Sequence, residues 1–93
     1  MPSRTKTWRV ELTRRADRSL RRLDRGAARR ILAFLAAFEA EGADPRAKGG
    51  ALRGPLKSLW RYRVGNHRIL CSLEDGGLVV LVVDVLHRSD AYR

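Results

Sequence analysis

The stretch LRGPLKSLWRYRVGNHRILCSLEDGGLVVLVVDVLHRSDAY, residues Leu52 to Tyr92, decides the fold of this chain. It contains three apolar segments separated by two glycine-bearing turns, a pattern typical of three antiparallel strands joined by hairpins. Cationic side chains lie at its start, along its first strands and at its exit. We therefore expect a sheet whose surface binds phosphate.

Strict alternation divides the first segment of this stretch into two faces. From Leu59 to Val64, Trp60 and Tyr62 point to one side while Arg61 and Arg63 point to the other. The aromatic side should face the helices and form the core. The arginine side is then left facing away from the helices.

The first turn sets the register of the arginines. Gly65 and Asn66 favour a two-residue hairpin loop. This loop places Arg63 opposite Arg68, and it places Tyr62 and Trp60 opposite Ile69 and Cys71. Two guanidiniums directly across a strand pair repel each other unless an anion bridges them, and arginine matches phosphate oxygens with paired donors. A cluster of Arg61, Arg63 and Arg68 thus suits a phosphodiester; the alternative is three solvated arginines on an open face.

The second turn, Glu74-Asp75-Gly76-Gly77, decides where His87 lies. An even-numbered loop puts His87 on the face of Arg68, whereas an odd loop would reverse this. On the even interpretation, His87 lies near Arg88 and Tyr92 beside the phosphate site. A neutral imidazole there could accept a proton, and a phenol beside cations could share one. The alternatives are a solvated histidine and a tyrosine that only packs. His67, in the hairpin loop, is interpreted as a surface residue.

The preceding half of the chain predicts one strand and two helices. Thr7 to Leu12 alternates as a short edge strand, Thr13 can cap a helix with an arginine-rich outer side, and Asp24 can cap a second helix. A stripe of Ile31, Phe34, Leu35 and Phe38 indicates the core side of that second helix. Ala43 to Gly50 has the composition of an exposed loop.

The predicted fold is α+β, with an N-terminal strand, an antiparallel helix hairpin and a three-stranded antiparallel meander, the helices packed on one face of an antiparallel sheet.

Composition limits the classes of protein to consider. With 93 residues, the chain is predicted to form a single domain over residues 1–93. A net charge of +10 implies attraction to nucleic acid, to an acidic protein partner, or to both. The single cysteine and the lack of a signal or a membrane-spanning segment favour a cytoplasmic location without a membrane partner.

No nucleophile motif, metal-ligand cluster, glycine-rich phosphate loop or carboxylate pair is visible in the sequence. We therefore expect neither a metal site nor a cofactor. The chemistry that remains is cleavage of RNA by its own 2′-hydroxyl, with a base, an acid and arginines that neutralise the developing charge.

The stretch from Leu52 resembles the second half of RelE-type toxins of toxin-antitoxin systems, and the preceding elements agree with the first half of that family. The most specific parts are Leu52-Arg53-Gly54, the hairpin from Arg63 to Arg68, and His87-Arg88 followed by Tyr92. The resemblance implies an endoribonuclease that enters the ribosomal A site, cuts the mRNA codon there and is neutralised by an acidic antitoxin.

Several residue roles are carried over from that resemblance. Arg68 would stabilise the transition-state phosphate, Arg88 would contact phosphate, and Tyr92 would orient the substrate or assist proton transfer. Lys57, Arg61 and Arg63 occupy the region of the basic groups for the leaving oxygen and the mRNA backbone, and Arg53 is included among the mRNA- or ribosome-binding residues. Where several relatives have lysines along the first sheet strand, this chain has mostly arginine, which hardly deprotonates. His87 is therefore the candidate base.

Two other functions fit the same resemblance. ParE-type toxins share the fold but act on DNA gyrase without cutting RNA. A degenerate relative would only form a complex with its antitoxin. The combined set of Arg68, His87, Arg88 and Tyr92 favours the nuclease, because a pure protein binder has no chemical need of it.

Overall fold

Two helices and a five-stranded sheet make up the part of the chain that the computed structural model describes, residues 7–89. The sheet order is β1-β5-β4-β3-β2. The strands are β1 (Arg9–Leu12), β2 (Gly50–Ala51), β3 (Trp60–Val64), β4 (His67–Glu74) and β5 (Val79–His87), and the helices are α1 (Arg14–Arg21) and α2 (Arg25–Ala36).

Both helices begin at the residues predicted to cap them. The Thr13 hydroxyl accepts a hydrogen bond from the Ala16 amide at 3.1 Å and donates one to the Val83 carbonyl at 2.7 Å. The Asp24 carboxylate accepts from the Ala27 amide at 3.2 Å. These bonds satisfy amides that a helix leaves unpaired in its first turn. Thr13 also ties α1 to β5. Within residues 7–89, no helix is long and apolar enough to cross a bilayer.

The core lies between the helices and one face of the sheet. Ile31 and Leu35 of α2 are fully buried against Tyr62, Ile69 and other sheet residues of the same cluster. Phe34, Phe38 and Tyr62 form a ring cluster with centroid distances of 4.9–5.3 Å. The predicted stripe on α2 is therefore confirmed as core, and so is the placement of the helices on one sheet face.

The predicted meander of β3, β4 and β5 is confirmed, but the sheet is mixed rather than wholly antiparallel. β1 pairs in parallel with β5, from Arg9 opposite Val79 to Leu12 opposite Val82. It lies at the edge of the sheet, as predicted. The parallel direction places Trp8 in the core and leads the chain straight into α1, which continues along β5 beyond the end of β1. The two-residue strand β2 on the other edge was not predicted.

The segment from Ala43 to Gly50 is largely exposed, as predicted, but it is anchored to β3. The Tyr62 hydroxyl donates to the Pro45 carbonyl at 2.6 Å, and the Trp60 indole N–H donates to the Lys48 carbonyl at 2.7 Å. Pro45 is buried. The composition of the segment did not predict this anchoring, in which two aromatic side chains of β3 donate hydrogen bonds from their polar ends to backbone carbonyls.

Candidate nucleic-acid interface

Arg61, Arg63 and Arg68 form what we term the arginine face, on the side of the sheet away from the helices. Trp60 pairs with Cys71, Tyr62 with Ile69, and Arg63 with Arg68. The predicted register of the first hairpin is therefore confirmed. It follows from a two-residue turn in which Gly65 adopts a φ of 57°, a conformation that glycine reaches without steric cost.

Burial differs sharply among the three arginines. Arg68 is 5% exposed, whereas Arg63 is exposed and Arg61 is intermediate. On β5, the residue opposite Arg68 is Leu86, so an apolar side chain adjoins the guanidinium. Because the effective dielectric is lower at a buried position, the charge of Arg68 acts more strongly on a nearby anion than an exposed charge would.

Arg88 is held at the same end of the sheet as Arg63 and Arg68. Its backbone N–H donates to the Asn66 carbonyl at 2.7 Å, and Asn66 belongs to the turn that joins those two arginines. The Arg88 side chain is exposed. Three of the predicted phosphate-binding residues thus lie around one hairpin turn.

Arg53 and Lys57 lie at the other end of β3. They flank a 3-10 turn at Gly54–Leu56, in a loop closed by a 3.1 Å bond from the Leu52 amide to the Leu59 carbonyl. Both side chains are exposed. A five-residue strand spans roughly 13 Å between its end residues, so these two cations extend the basic surface without joining the Arg63–Arg68 pair.

The prediction that His87 shares the face of Arg68 was wrong. Ser72 does pair with Leu81, as the even loop requires, but the register shifts between Leu70 and Cys71, which pair with Asp84 and Val82. Val83 is the extra residue of this β-bulge, and one inserted residue exchanges the two faces of everything beyond it. His87 pairs with His67 instead, on the helix side. Tyr92, the remaining candidate, lies outside the described residues.

The two histidines are in contact, which the interpretation of His67 as a surface residue missed. Their ring centroids are 5.5 Å apart and the planes are nearly perpendicular at 86°. The Ser89 backbone N–H donates to His87 Nδ1 at 3.3 Å, so this nitrogen acts as an acceptor. Burial is the main cause that lowers the pKa of His67, and the neighbouring His87 lowers it further. The surroundings of His67 therefore favour its neutral form.

Asp84 joins the bulge to α1. Its carboxylate accepts a hydrogen bond from the Ser19 hydroxyl at 2.7 Å and lies 3.5 Å from the Arg15 guanidinium. The same carboxylate accepts from the Val85 amide at 2.8 Å. These bonds fix the backbone that leads from the bulge to Arg88. An acidic residue within a long apolar run was the sequence signal that could have identified this junction.

Arg63 is exposed on the arginine face, whereas its neighbour Arg68 is buried. A cavity of about 350 Å³ lies elsewhere, among Trp8, Asp44, Arg46 and Asp75, where Arg46 and Asp75 form a paired ion bridge at 2.7 and 2.9 Å. Small molecules are usually bound in enclosed, largely apolar sites. Guanidiniums distributed along a sheet face suit an extended polyanion better. Among residues 7–89, no group of three or more His, Cys, Asp or Glu side chains is placed as metal ligands would be.

A small α+β domain with a basic sheet face is the class of protein that this geometry defines. Residues 10–92 match the family described as ParE toxin of type II toxin-antitoxin system, parDE, and the chain therefore belongs to that family. No curated protein is matched.

Solved structures of toxins share the fold. The toxin–antitoxin complex RelBE2 from Mycobacterium tuberculosis matches with a TM-score of 0.80 and 25% identity, covering 89% of this chain and 100% of that one. The RelE-RelB complex from Pyrococcus horikoshii OT3 matches with a TM-score of 0.70 and 28% identity, covering 89% and 97%. A mutant of the E. coli toxin RelE in the free state matches with a TM-score of 0.75 at 18% identity, covering 94% and 90%, and shows the fold alone. The predicted RelE-like fold and membership of the RelE/ParE superfamily are confirmed.

Proposed function

We propose that this toxin is a ribosome-dependent endoribonuclease that cleaves mRNA codons in the A site and is neutralised by an acidic antitoxin. The observation that carries the proposal is the placement of Arg63, Arg68 and Arg88 around one hairpin turn. Guanidiniums donate paired hydrogen bonds to phosphate oxygens, and single-stranded mRNA offers phosphates along its whole length.

The proposed reaction needs no group beyond the RNA and side chains. The 2′-oxygen of one nucleotide attacks the adjacent phosphorus, the bond to the 5′-oxygen of the next nucleotide breaks, and a cyclic phosphate forms. One proton leaves the 2′-hydroxyl and one is gained by the departing 5′-oxygen. Arg63 and Arg68 would stabilise the extra negative charge on the phosphate in the transition state.

Other residues would bind and orient the RNA. Arg88, held beside the turn by Asn66, would contact the adjacent phosphate, while Arg53, Arg61 and Lys57 would follow the backbone along β3. Tyr92 is proposed to orient the substrate or assist proton transfer, as the family resemblance implies. His87 is not assigned a role in proton transfer, because the bulge places it on the opposite face from Arg68.

The test is the addition of purified protein to a translating extract, followed by mapping of mRNA ends. Cleavage should fall inside A-site codons. Arg68→Lys keeps the charge but loses the paired donors, and should slow cleavage by about 10²-fold or more. Arg63→Gln alters an exposed side chain and should slow cleavage without affecting the fold. His87→Ala should leave cleavage intact.

Arg9→Gln is the matched control, since Arg9 is exposed on the edge strand and pairs only on the surface with Glu11 at 3.1 Å. Thermal melting shows whether each variant is folded. Intact mRNA with folded wild-type protein would sink the proposal, as would equal cleavage by the Arg63→Gln and Arg9→Gln variants.

A second function is supported by the family match itself, which is to ParE toxins. On this alternative the chain binds DNA gyrase without cutting RNA. No proton transfer beside Arg68 is then required, which agrees with the position of His87 on the opposite face. Gyrase-dependent DNA breaks together with intact mRNA would establish it.

A further inference from the structure

The two helices carry a second basic surface, separate from the arginine face. Eight exposed arginines lie between residues 14 and 30, and we call them the helix arginines: Arg14, Arg15, Arg18, Arg21, Arg22, Arg25, Arg29 and Arg30. No lysine occurs in this segment. The core side of the same helices is formed by Ala16, Leu20, Ala27, Ile31 and Leu35. The helix arginines are thus not needed to pack the core.

Few of these charges are neutralised within the described chain. Arg15 lies 3.5 Å from Asp84, and Arg21 lies 3.0 Å from Asp17. In residues 7–89, the other six helix arginines form no salt bridge with a carboxylate. Both exceptions leave the arginine largely exposed, with 78% and 77% of the side-chain surface accessible.

The arrangement opposes folding. Arg14 and Arg18, Arg18 and Arg22, and Arg25 and Arg29 are four residues apart, a spacing at which like charges destabilise a helix by about 0.2–0.5 kcal/mol per pair. Arg14 and Arg25 also occupy the first position of α1 and α2, where the helix dipole disfavours a cation. A polyanion bound across this surface would remove the repulsion.

We propose that the helix arginines bind the phosphate backbone of base-paired RNA. Arginine supports paired contacts to phosphate, and double-stranded RNA is recognised through shape and backbone rather than base edges. An α-helix rises 1.5 Å per residue, so Arg14, Arg18 and Arg22 form a rigid row spanning about 12 Å. The choice of RNA over DNA rests on the function proposed above. The inference that this surface binds a phosphate backbone does not depend on that function.

The helix surface and the arginine face lie on opposite sides of the sheet, because strand alternation directs Arg63 and Arg68 away from the helices. One molecule can therefore hold a folded RNA on its helical side while a single strand lies along β3 and β4. The helix surface would determine where the protein binds, and the arginine face would determine what is cut.

The experiment measures binding of the full chain to a labelled 20-base-pair RNA duplex by fluorescence anisotropy between 50 and 200 mM salt. The helix variant carries Arg18→Gln, Arg22→Gln, Arg25→Gln and Arg29→Gln. The matched control carries Arg53→Gln, Lys57→Gln, Arg61→Gln and Arg63→Gln, the same loss of four charges. Glutamine keeps helix propensity, so the helix variant should melt no lower than the wild type.

We expect the helix variant to bind the duplex at least 10-fold more weakly, with a salt slope smaller by roughly 3 to 4. The control variant should lose less than 3-fold. Equal losses in both variants would overturn the proposal, since net charge alone would then explain binding. Binding of poly-glutamate but not of the RNA duplex would also overturn it.

The same variants separate this proposal from the nuclease. In a translating extract, the helix variant should cleave poorly at limiting concentration and recover when the protein is in excess, whereas the control variant should stay inactive. If the wild type cuts no mRNA yet the duplex titration behaves as expected, the nuclease proposal fails and the binding surface stands.

Discussion

At the scale of single residues, a contacting pair of histidines is the feature with the clearest physical signature. His67 lies between His87, which adds to the lowering of its pKa, and two residues of the helical layer with opposite effects: Asp24 raises the pKa and Arg30 lowers it. The largest cause is burial. In the folded chain, His67 therefore binds its proton less readily than in the unfolded chain.

This difference predicts a dependence of stability on pH. Below the unfolded pKa of about 6.5, the unfolded state binds more protons than the folded state, so the free energy of unfolding should fall as the pH falls. We expect urea denaturation of the wild type to give a lower free energy at pH 5.5 than at pH 7.5. His67→Gln should show a smaller loss over the same interval. Identical losses in the two proteins would contradict the assignment to His67.

Gly49 is the residue whose replacement should disturb the fold most directly. Its φ is 75°, and a Cβ placed there would collide with the Arg61 carbonyl oxygen and lie 2.8 Å from the Trp60 indole nitrogen. Gly49→Ala should lower the free energy of unfolding by more than about 1–2 kcal/mol, the cost of the left-handed conformation alone. The control is Gly50→Ala, because no atom lies within 4 Å of a Cβ there. Urea denaturation that finds the two variants equally stable would contradict this prediction.

At the scale of elements, local patterns explain what the sequence predicted well. The caps at Thr13 and Asp24 and the Gly65–Asn66 turn depend on residues a few positions apart, and all three are confirmed. The arginine pair followed directly from that turn. The arrangement of side chains on one hairpin was therefore predictable from its own residues.

Elements that depend on distant partners were predicted less well. The parallel direction of β1 is decided by contacts with β5, about seventy residues later, and β2 is too short to have a pattern of its own. The bulge lies in a run, Leu78 to Leu86, where both faces of the strand are apolar except at Asp84. Alternation in such a run carries no signal of an inserted residue, so His87 was predicted on the wrong face.

At the scale of the whole molecule, a single thiol at the centre of the sheet reports on global unfolding. Cys71 is fully buried, and burial raises its pKa to about 12. Because the thiolate is the reactive form, a thiol reagent should react with the folded chain roughly 10³-fold or more slowly than with the chain in urea. A fast reaction under native conditions would show that β4 opens locally without unfolding of the domain.

The bulge at Val83 has a consequence for comparing this chain with its relatives. The bulge divides β5 into two parts. The alternation of side chains toward and away from the helices is displaced by one residue from the first part to the second. When two sequences are aligned without a gap, aligned residues beyond position 83 lie on the same face of the sheet only if both strands contain a bulge at the same point. Deletion of Val83 would remove the bulge and restore regular alternation, and His87 would stay opposite His67 on the helix side. Loss of the bulge without loss of a residue would instead exchange the side chains that the two faces of β5 present beyond residue 83, while every residue type is kept.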